Sequence, residues 1–520
     1  MHEFDAGVEA PASGRGGLWL LAALAIMVAV QSPTVGLGFV GDDFEWWLAT
    51  RHRMIEPSRF LEPFGGFRLT NPLMLVPDQL LWRTWTPGWH LTTLAIHGLV
   101  MALLCGVARR VGLTSPAAAG LATLWAASPF TAFQAREVHP RHDPLLLACW
   151  LALGLLWPAP GERWTGRRLT AALVLVAVSA CTKESWVVLP GFVVAYELSF
   201  RRRRLWPTLR SAALWSLGPV LFVVWYTLWP PVAASYAVGY YGGGLRAAAK
   251  IPSTLVAFCG LAGLDPSSTR FGPLEWCATV TLAAFAVLAL RSRAPALLVG
   301  SAFFLLPFLP LAPVPFMPVH YAYAPFAGFL LMAAGGAVAV VAAARTRLTR
   351  IVIRSAVAAL AVGMLAFGMA VMRGELADVT RRDEVHRRLV DEAEAFLPQL
   401  PGEPVLVCVR IERAAVTAWM LHQVEGLPKT YFERGRYPYG LVGWAELWSW
   451  VGDPLGGPVW RDVPAGSVGD LPFAVIGHVA DRFVTLPSEQ PTAASAAREW
   501  SGQGHQVRVI QPYSMTMSSE

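Results

Sequence analysis

The chain has few charged side chains for its length. Asp, Glu, Lys and Arg together make up 15% of the 520 residues, whereas hydrophobic residues make up 55%. The apolar residues come in blocks of about twenty rather than in the short amphipathic patterns of a water-soluble core. The composition therefore excludes an ordinary soluble protein and predicts an all-α polytopic membrane protein.

Cysteine and lysine are also scarce. The chain has six cysteines, none in a CxxC pair, and their positions define neither a disulfide framework nor a metal motif. Only three of the 42 basic residues are lysine, and the arginines cluster at the ends of apolar blocks. Because these clusters flank the blocks instead of forming one basic face, they indicate membrane orientation and argue against nucleic-acid binding.

Apolar windows of about twenty residues predict about eleven membrane spans. We expect these spans near residues 17–38, 88–108, 113–133, 143–158, 168–182, 185–199, 206–229, 274–290, 295–314, 320–343 and 351–372. The stretch 246–264 is apolar too, but charges and prolines bound it. We interpret it as a re-entrant or interfacial helix, with a twelfth span as the alternative.

The arginine clusters fall between alternate predicted spans. Since Arg and Lys accumulate in short cytoplasmic loops, residues 1–16 are predicted to be cytoplasmic and the first loop, 39–87, extracytoplasmic. With this alternation of sides, the predicted spans make 17–373 a membrane domain. The same alternation places 374–520 on the extracytoplasmic side.

The last 147 residues, 374–520, differ from the rest in composition. Charged residues with a helical apolar repeat over 374–400 lead out of the membrane. Short strands are expected at 405–409, 473–476 and 507–510, a helix near 412–424, and an irregular loop over 431–460. This pattern predicts a small extracytoplasmic α/β domain.

Two adjacent carboxylates, Asp42 and Asp43, end the first apolar block. Ionised carboxylates are costly near hydrocarbon, so acidic residues in this position indicate a functional site. Trp46 follows the pair and has two interpretations, a sugar-stacking ring or a member of the interfacial aromatic belt. The belt interpretation also applies to Trp82, Trp85 and Trp89.

A dense polar cluster occupies 134–143. The spacing of Glu137 and His139 suits two ligands of one divalent cation, Mn or Mg, with Asp42 or Asp43 as further ligands. The alternative is a solvated turn between two spans. Arg136 and Asp143 belong to the same cluster.

Two further polar groups lie at predicted span ends on the same side as the first loop. Lys183 and Glu184 separate two short apolar blocks, where the lysine serves either as a phosphate contact or as the partner of Glu184. His320, Tyr321 and Tyr323 begin a late span. His320 is a candidate donor to phosphate or sugar, whereas Tyr323 is expected to be an interfacial anchor.

In their order along the chain and their predicted location on one side of the membrane, the motifs resemble those of the GT-C superfamily of integral-membrane glycosyltransferases. The nearest resemblance is to the transmembrane and tetratricopeptide-repeat O-mannosyltransferases and their bacterial relatives. Besides the acidic pair, the segments Ser128–Pro144, Thr182–Glu184 and His320–Gly328 carry it, and it covers about 17–373. Two features depart from the family: no tetratricopeptide repeats follow, and His320 stands where Arg is common.

The resemblance implies transfer of a sugar from a polyprenyl-phosphate donor to an extracytoplasmic acceptor by an inverting displacement in a bacterial inner membrane. The acceptor would be a protein, a lipid or an envelope glycan. Family members differ in cofactor use, so either no cofactor or a divalent cation, Mn or Mg, is implied. A lipid-linked oligosaccharide polymerase or ligase is the alternative enzyme. A transporter or flippase is favoured less, because no repeated half and few mid-span charges occur.

Each candidate residue has an implied role. The catalytic base is assigned to Asp42 or Asp43. The donor phosphate is assigned to Lys183, His320 and Arg136. Acceptor or metal orientation is assigned to Glu137, His139, Asp143 and Glu184, with Glu137 and His139 as the metal ligands. Sugar or lipid contact is assigned to Trp46, Tyr321 and Tyr323.

Overall fold

The computed structural model describes most of the membrane domain and part of the C-terminal region. The described residues are 15–37, 70–82, 85–201, 205–228, 250–259, 272–292, 294–311, 319–344, 346–396, 399–400, 405–409, 459–463, 472–479, 482–505 and 507–513, with Asp43, Trp46, Thr50, Arg53, Met54 and Pro57 in the first loop.

Helices dominate the described residues. In chain order they are α1 (Arg15–Gln31), α2 (Thr70–Leu81), α3 (Thr86–Arg110), α4 (Ser115–Ala126), α5 (Pro129–Arg136), α6 (His142–Leu156), α7 (Gly166–Thr182), α8 (Leu189–Phe200), α9 (Leu205–Leu228), α10 (Lys250–Phe258), α11 (Pro273–Ser292), α12 (Pro295–Leu305), α13 (Tyr323–Ala343), α14 (Arg347–Phe396) and α15 (Ala493–Gly502). Short 3₁₀ helices cover Ser32–Gly36, His139–Arg141, Glu184–Val188, Leu306–Phe308 and Val319–Ala322.

Among the described residues, five helical segments are long and apolar enough to cross a membrane, by length and composition. They are Gly16–Gly36, Thr86–Arg110, Leu205–Trp225, Tyr323–Ala342 and Arg347–Gly374. Two shorter apolar helices, Pro273–Ala289 and Pro295–Phe308, accompany them. The chain is thus an integral membrane protein, and the count of about eleven spans stays a prediction.

One expected span is two helices. The sequence predicts a continuous helix over 113–133, but α4 ends at Ala126 and α5 begins at Pro129. The Ser128 side chain accepts the backbone N–H of Thr131, so it caps α5 while Pro129 fills the first helical position. This break allows α5 to leave the direction of α4.

Helix α10 bears on the interpretation of 246–264. Its nine residues, Lys250–Phe258, extend about 13 Å at about 1.5 Å per residue. A membrane core is about 30 Å thick, so α10 alone does not cross it. Residues 246–249 and 260–264 lie outside the described structure, so the re-entrant or interfacial interpretation and the twelfth span both stay predictions.

Glycines bring α12 and α13 into backbone contact. A Cβ placed on Gly328 of α13 would lie 2.2 Å from the backbone nitrogen of Phe304, and one on Gly300 would lie 2.5 Å from that of Met332. Small residues at such crossings are typical of membrane helices, where close packing drives association.

The C-terminal strands form one mixed sheet. Its strands are β1 (Val405–Val409), β2 (Val459–Val463), β3 (Phe473–Val479), β4 (Arg482–Leu486) and β5 (Val507–Tyr513), in the order β2-β5-β1-β3-β4. β1 and β3 are parallel, and the other neighbours are antiparallel. Alanines of α15 pack on valines of β1, β3 and β5.

The three predicted strands all form strands, whereas β2 and β4 were not predicted. Helix α14 continues through the helical repeat expected after 374. The predicted helix 412–424 lies outside the described residues, and so does the predicted loop 431–460 up to residue 458. The domain boundary and the side of the membrane stay predictions.

Candidate functional site

The polar cluster folds as a compact turn between α5 and α6. Helix α5 includes residues up to Arg136, Glu137 is extended, and a 3₁₀ helix over His139–Arg141 leads into α6. We call residues 137–143 the central turn. The sequence predicted a loop from residue 134, but the capped start of α5 carries the helix two residues beyond it.

Asp43 binds the central turn from the distant first loop. Its Oδ1 atom accepts hydrogen bonds from the backbone N–H of Val138 (2.8 Å) and of His139 (2.7 Å), and lies 3.1 Å from Nδ1 of His139. The Asp43 side chain is 0% exposed, whereas that of His139 is 12% exposed. Asp43 is therefore a fixed, buried carboxylate, and the imidazole of His139 is the partly exposed member of the pair.

Trp46 lies on the other side of that imidazole. Its ring stacks on His139 with centroids 6.5 Å apart and planes 11° apart. Trp46 and Trp89 are buried, so the aromatic-belt interpretation is wrong for both, although Trp85 is half exposed. Asp42 lies outside the described residues.

Glu137 contacts the charges on either side of it. Its Oε2 atom lies 4.0 Å from Nδ1 of His139, and its Oε1 atom lies 3.5 Å from Nη2 of Arg136. The Arg136 guanidinium also packs over the Phe133 ring at 4.0 Å. No group of three or more His, Cys, Asp or Glu in the described part of the chain could hold a metal ion. A cation at Glu137 and His139 would need ligands from residues beyond that part.

Lys183 meets the other end of the central turn. Its Nζ atom lies 2.5 Å from Oδ1 of Asp143 and 3.9 Å from the centre of the Tyr321 ring. The second oxygen of Asp143 accepts a hydrogen bond from Gln134 Nε2 (3.2 Å) and lies 3.5 Å from Nε2 of His142. Lys183 is 1% exposed, so this carboxylate balances a buried ammonium.

The predicted alternative, a Lys183–Glu184 pair, is wrong. Lys183 caps the end of α7 with an extended backbone (φ −160°, ψ 144°), and Glu184 begins the next 3₁₀ helix. The lysine side chain pairs with Asp143 of the central turn instead.

Tyr323 is not the expected interfacial anchor. It is 1% exposed, its hydroxyl lies 2.9 Å from Nδ1 of His97, and its ring packs edge-on against Trp125. The position of a tyrosine at a span end does not reveal which way the helix faces, and here it faces the bundle. Tyr321 lies beside Lys183, while the side chain of His320 is outside the described structure.

Sequence reasoning missed the ion pair of Arg141 and Asp78. The Arg141 side chain is fully buried and pairs through Nη1 with Oδ2 of Asp78. Its Nε donates to Thr93 Oγ1 (3.0 Å) and its Nη2 to the Trp89 carbonyl (2.6 Å). Burial lowers the pKa of Arg141, and the Asp78 carboxylate raises it. A lone carboxylate within the apolar helix α2 was the available signal.

Together these contacts define an integral membrane protein with two buried clusters of charge on one turn. No protein-family model matches the chain, and no curated protein matches it. Two solved structures are similar to it, both of ArnT from Cupriavidus metallidurans. The one bound to undecaprenyl phosphate has 14% identity and a TM-score of 0.47, covering 98% of this chain and 100% of that chain. The one in the apo state has 13% identity and a TM-score of 0.45, covering 96% and 98%.

Proposed function

We propose that the chain is a membrane glycosyltransferase that moves a sugar from a polyprenyl-phosphate donor to an acceptor outside the cytoplasm. One observation carries the proposal: two segments far apart in sequence meet the same turn. Asp43 binds the central turn at residues 138 and 139, and Lys183 binds it at Asp143. The family resemblance assigns proton removal to the first residue and the donor phosphate to the second.

The acceptor proton goes to the Asp43–His139 pair. The imidazole is the more exposed member, so an acceptor hydroxyl meets it first, and Asp43 fixes the ring through Nδ1. As the proton leaves, the acceptor oxygen attacks the anomeric carbon from the face opposite the phosphate. The bond from that carbon to the phosphate oxygen breaks, and the configuration inverts. The Trp46 ring stacks on the imidazole and helps to hold it in place.

The leaving phosphate goes to Lys183. Negative charge grows on the phosphate as the bond breaks, and a preorganised ammonium in a water-poor site stabilises it. Asp143 holds this ammonium in place before the donor enters. The centre of the Tyr321 ring lies 3.9 Å from the same ammonium, and the ring helps to hold it.

The remaining candidates surround these two centres. Arg136 and His320 are further phosphate contacts in this proposal. Glu137 and Glu184 orient the acceptor. A divalent cation held by Glu137 and His139 is the alternative, in which the imidazole is a ligand instead of the base. This arrangement needs the acceptor and the donor sugar to meet above the central turn.

Envelope chemistry and purified protein together test the proposal. A deletion strain should lose one sugar modification from its envelope glycans or glycoproteins by mass spectrometry, and the intact gene should restore it. Purified protein in nanodiscs, given membrane extract and a panel of polyprenyl-phosphate hexoses and pentoses, should release free polyprenyl phosphate from one of them. Lys183→Ala should abolish restoration, whereas Arg168→Ala, which removes an exposed cation paired with Glu162, should not.

Unchanged glycans in the deletion strain, together with no polyprenyl phosphate released from any donor in the panel, would contradict the proposal.

A further inference from the structure

Helix α2 holds the central turn through Arg141. Arg141 ends the 3₁₀ helix that carries His139, and its guanidinium binds Asp78 of α2 as well as two groups of α3. Asp78 is itself held, because its Oδ1 accepts a hydrogen bond from Thr92 Oγ1 at 2.8 Å. The turn is therefore attached to a pair of helices that are hydrogen-bonded to each other.

The beginning of the same helix reaches the Lys183 side of the site. The Thr70 hydroxyl, at the first residue of α2, donates to the Thr182 hydroxyl at 3.1 Å. Thr182 is the last residue of α7 and directly precedes Lys183. Thr70 and Asp78 are thus two attachment points on one helix, about 12 Å apart along its axis at about 1.5 Å per residue.

We propose that α2 is a positioning strap that fixes the separation of the two halves of the site. Asp78 and Arg141 set the turn that carries His139, and Thr70 and Thr182 set the end of α7 that carries Lys183. The inference rests on the proposed function, since the strap serves a reaction that needs both halves at once. None of the four residues contacts the reacting atoms, so they act through His139 and Lys183.

A fixed separation matters because one displacement uses both centres together. The base must reach the acceptor proton while the ammonium reaches the leaving phosphate, and both positions refer to the same anomeric carbon. A misplacement of about 1 Å in such an arrangement can cost about 100-fold in rate. A single helix joined to both centres by hydrogen bonds limits this error.

Hydrogen exchange measured by mass spectrometry tests the strap without any donor. Asp78→Asn should speed amide exchange in peptides covering 137–143 by about tenfold, because the amides of Val138 and His139 depend on the placement of the turn. Thr70→Val should do the same for 183–188. Glu197→Gln is the matched control, since it neutralises a buried carboxylate paired with Arg201 elsewhere in the bundle. It should leave both segments unchanged.

Kinetics separate positioning from general stability. In folded Asp78→Asn and Thr70→Val proteins, kcat should fall about 10-fold to 100-fold while the donor KM stays within about twofold. A purely structural role would lower the yield of folded protein and its Tm but leave kcat per folded molecule intact. If Asp78→Asn fails to fold, Thr70→Val still tests the proposal, because it only exchanges one half-buried hydroxyl for a methyl group.

A disulfide between the start of α2 and the end of α7 should restore the lost activity. With Cys181→Ala to prevent mispairing, the double variant Thr70→Cys, Thr182→Cys should lose activity when reduced and regain it on oxidation. The two hydroxyl oxygens are 3.1 Å apart, so sulfurs in their place come within reach of a bond of about 2 Å. Oxidation thereby replaces the lost hydrogen bond with a covalent one.

Unchanged exchange and unchanged kcat in both single variants would overturn the strap while leaving the proposed function intact. If the unmodified protein releases no polyprenyl phosphate, the proposed function fails. The exchange experiment still decides whether α2 holds the two segments.

Discussion

Asp43 and His139 form one hydrogen-bonded unit, in which Oδ1 of the carboxylate lies 3.1 Å from Nδ1 of the imidazole. The same oxygen accepts the backbone N–H of His139, so the carboxylate sets both the position of the residue and the orientation of its ring. In the proposed reaction, this unit removes the acceptor proton.

Asp43→Asn should lower transfer at least about 100-fold while the protein still folds, because the amide conserves shape and removes the charge that supports proton removal. Turnover of the polyprenyl-phosphate donor and size-exclusion profiles of the purified protein give the two readouts. Asp42→Asn is the companion variant. Nearly normal turnover in both would remove the acidic pair from the mechanism.

His139→Ala should lower turnover about 100-fold or more, within the usual range for a general base, and added imidazole should restore part of it. The rate measured with and without imidazole checks this. No rescue by imidazole would give the base role to the carboxylate itself.

Lys183→Ala should raise the donor KM and also slow transfer, because the contact strengthens as charge builds on the phosphate. Lys183→Arg should rescue only partly, since the planar guanidinium is larger than the compact ammonium. Steady-state kinetics with the donor provide the measurement. Arg168→Ala is the control with a small expected effect, because it removes an exposed cation that is paired with Glu162. Unchanged donor kinetics in Lys183→Ala would leave this residue a structural role only.

The predicted topology places the amino terminus inside and the C-terminal sheet outside. Alkaline phosphatase fused after residue 400 should be active, and the same fusion after Arg204 should be inactive. Phosphatase activity in whole cells is the readout. Inactivity at residue 400 would mean that 246–264 crosses the membrane.

Gly328→Ala should destabilise the bundle by about 1–3 kcal/mol, because its Cβ would lie 2.2 Å from the backbone of Phe304 and the two helices would have to separate. Thermal unfolding of the purified protein checks this. Gly120→Ala is the matched control, since nothing lies within 4 Å of its added Cβ. Equal Tm values for the two variants would show that the α12–α13 crossing tolerates the methyl group.

The sequence singled out residues that the structure brings together, but it did not predict their partners. Charge at the ends of apolar blocks singled out Asp43, Lys183 and the central turn, because ionised groups are costly near hydrocarbon. The partner of Lys183 is Asp143, 40 residues away, rather than its neighbour Glu184. Chain distance carries no information about such a contact, which depends on how α6 and α7 pack.

Two other features were not predicted from the sequence. Asp78 and Arg141 come from separate segments, and neither has a periodic pattern that points to the other. The span over 113–133 read as continuous because hydropathy does not register a capping serine before a proline. Hydropathy was sufficient for α14 and alternation was sufficient for the central strands, where local pattern and final structure agree.

Helix α14 is a single helix of 50 residues, of which Arg347–Gly374 is the apolar part. The remainder, 375–396, extends about 33 Å further at about 1.5 Å per residue, and α14 contacts strand β4 of the sheet. An unbroken helix of this length sets the distance between the bilayer and the sheet. Under the proposed topology, it limits the distance between the membrane and the sheet. An acceptor that passes between them to reach the central turn has at most about 33 Å of clearance.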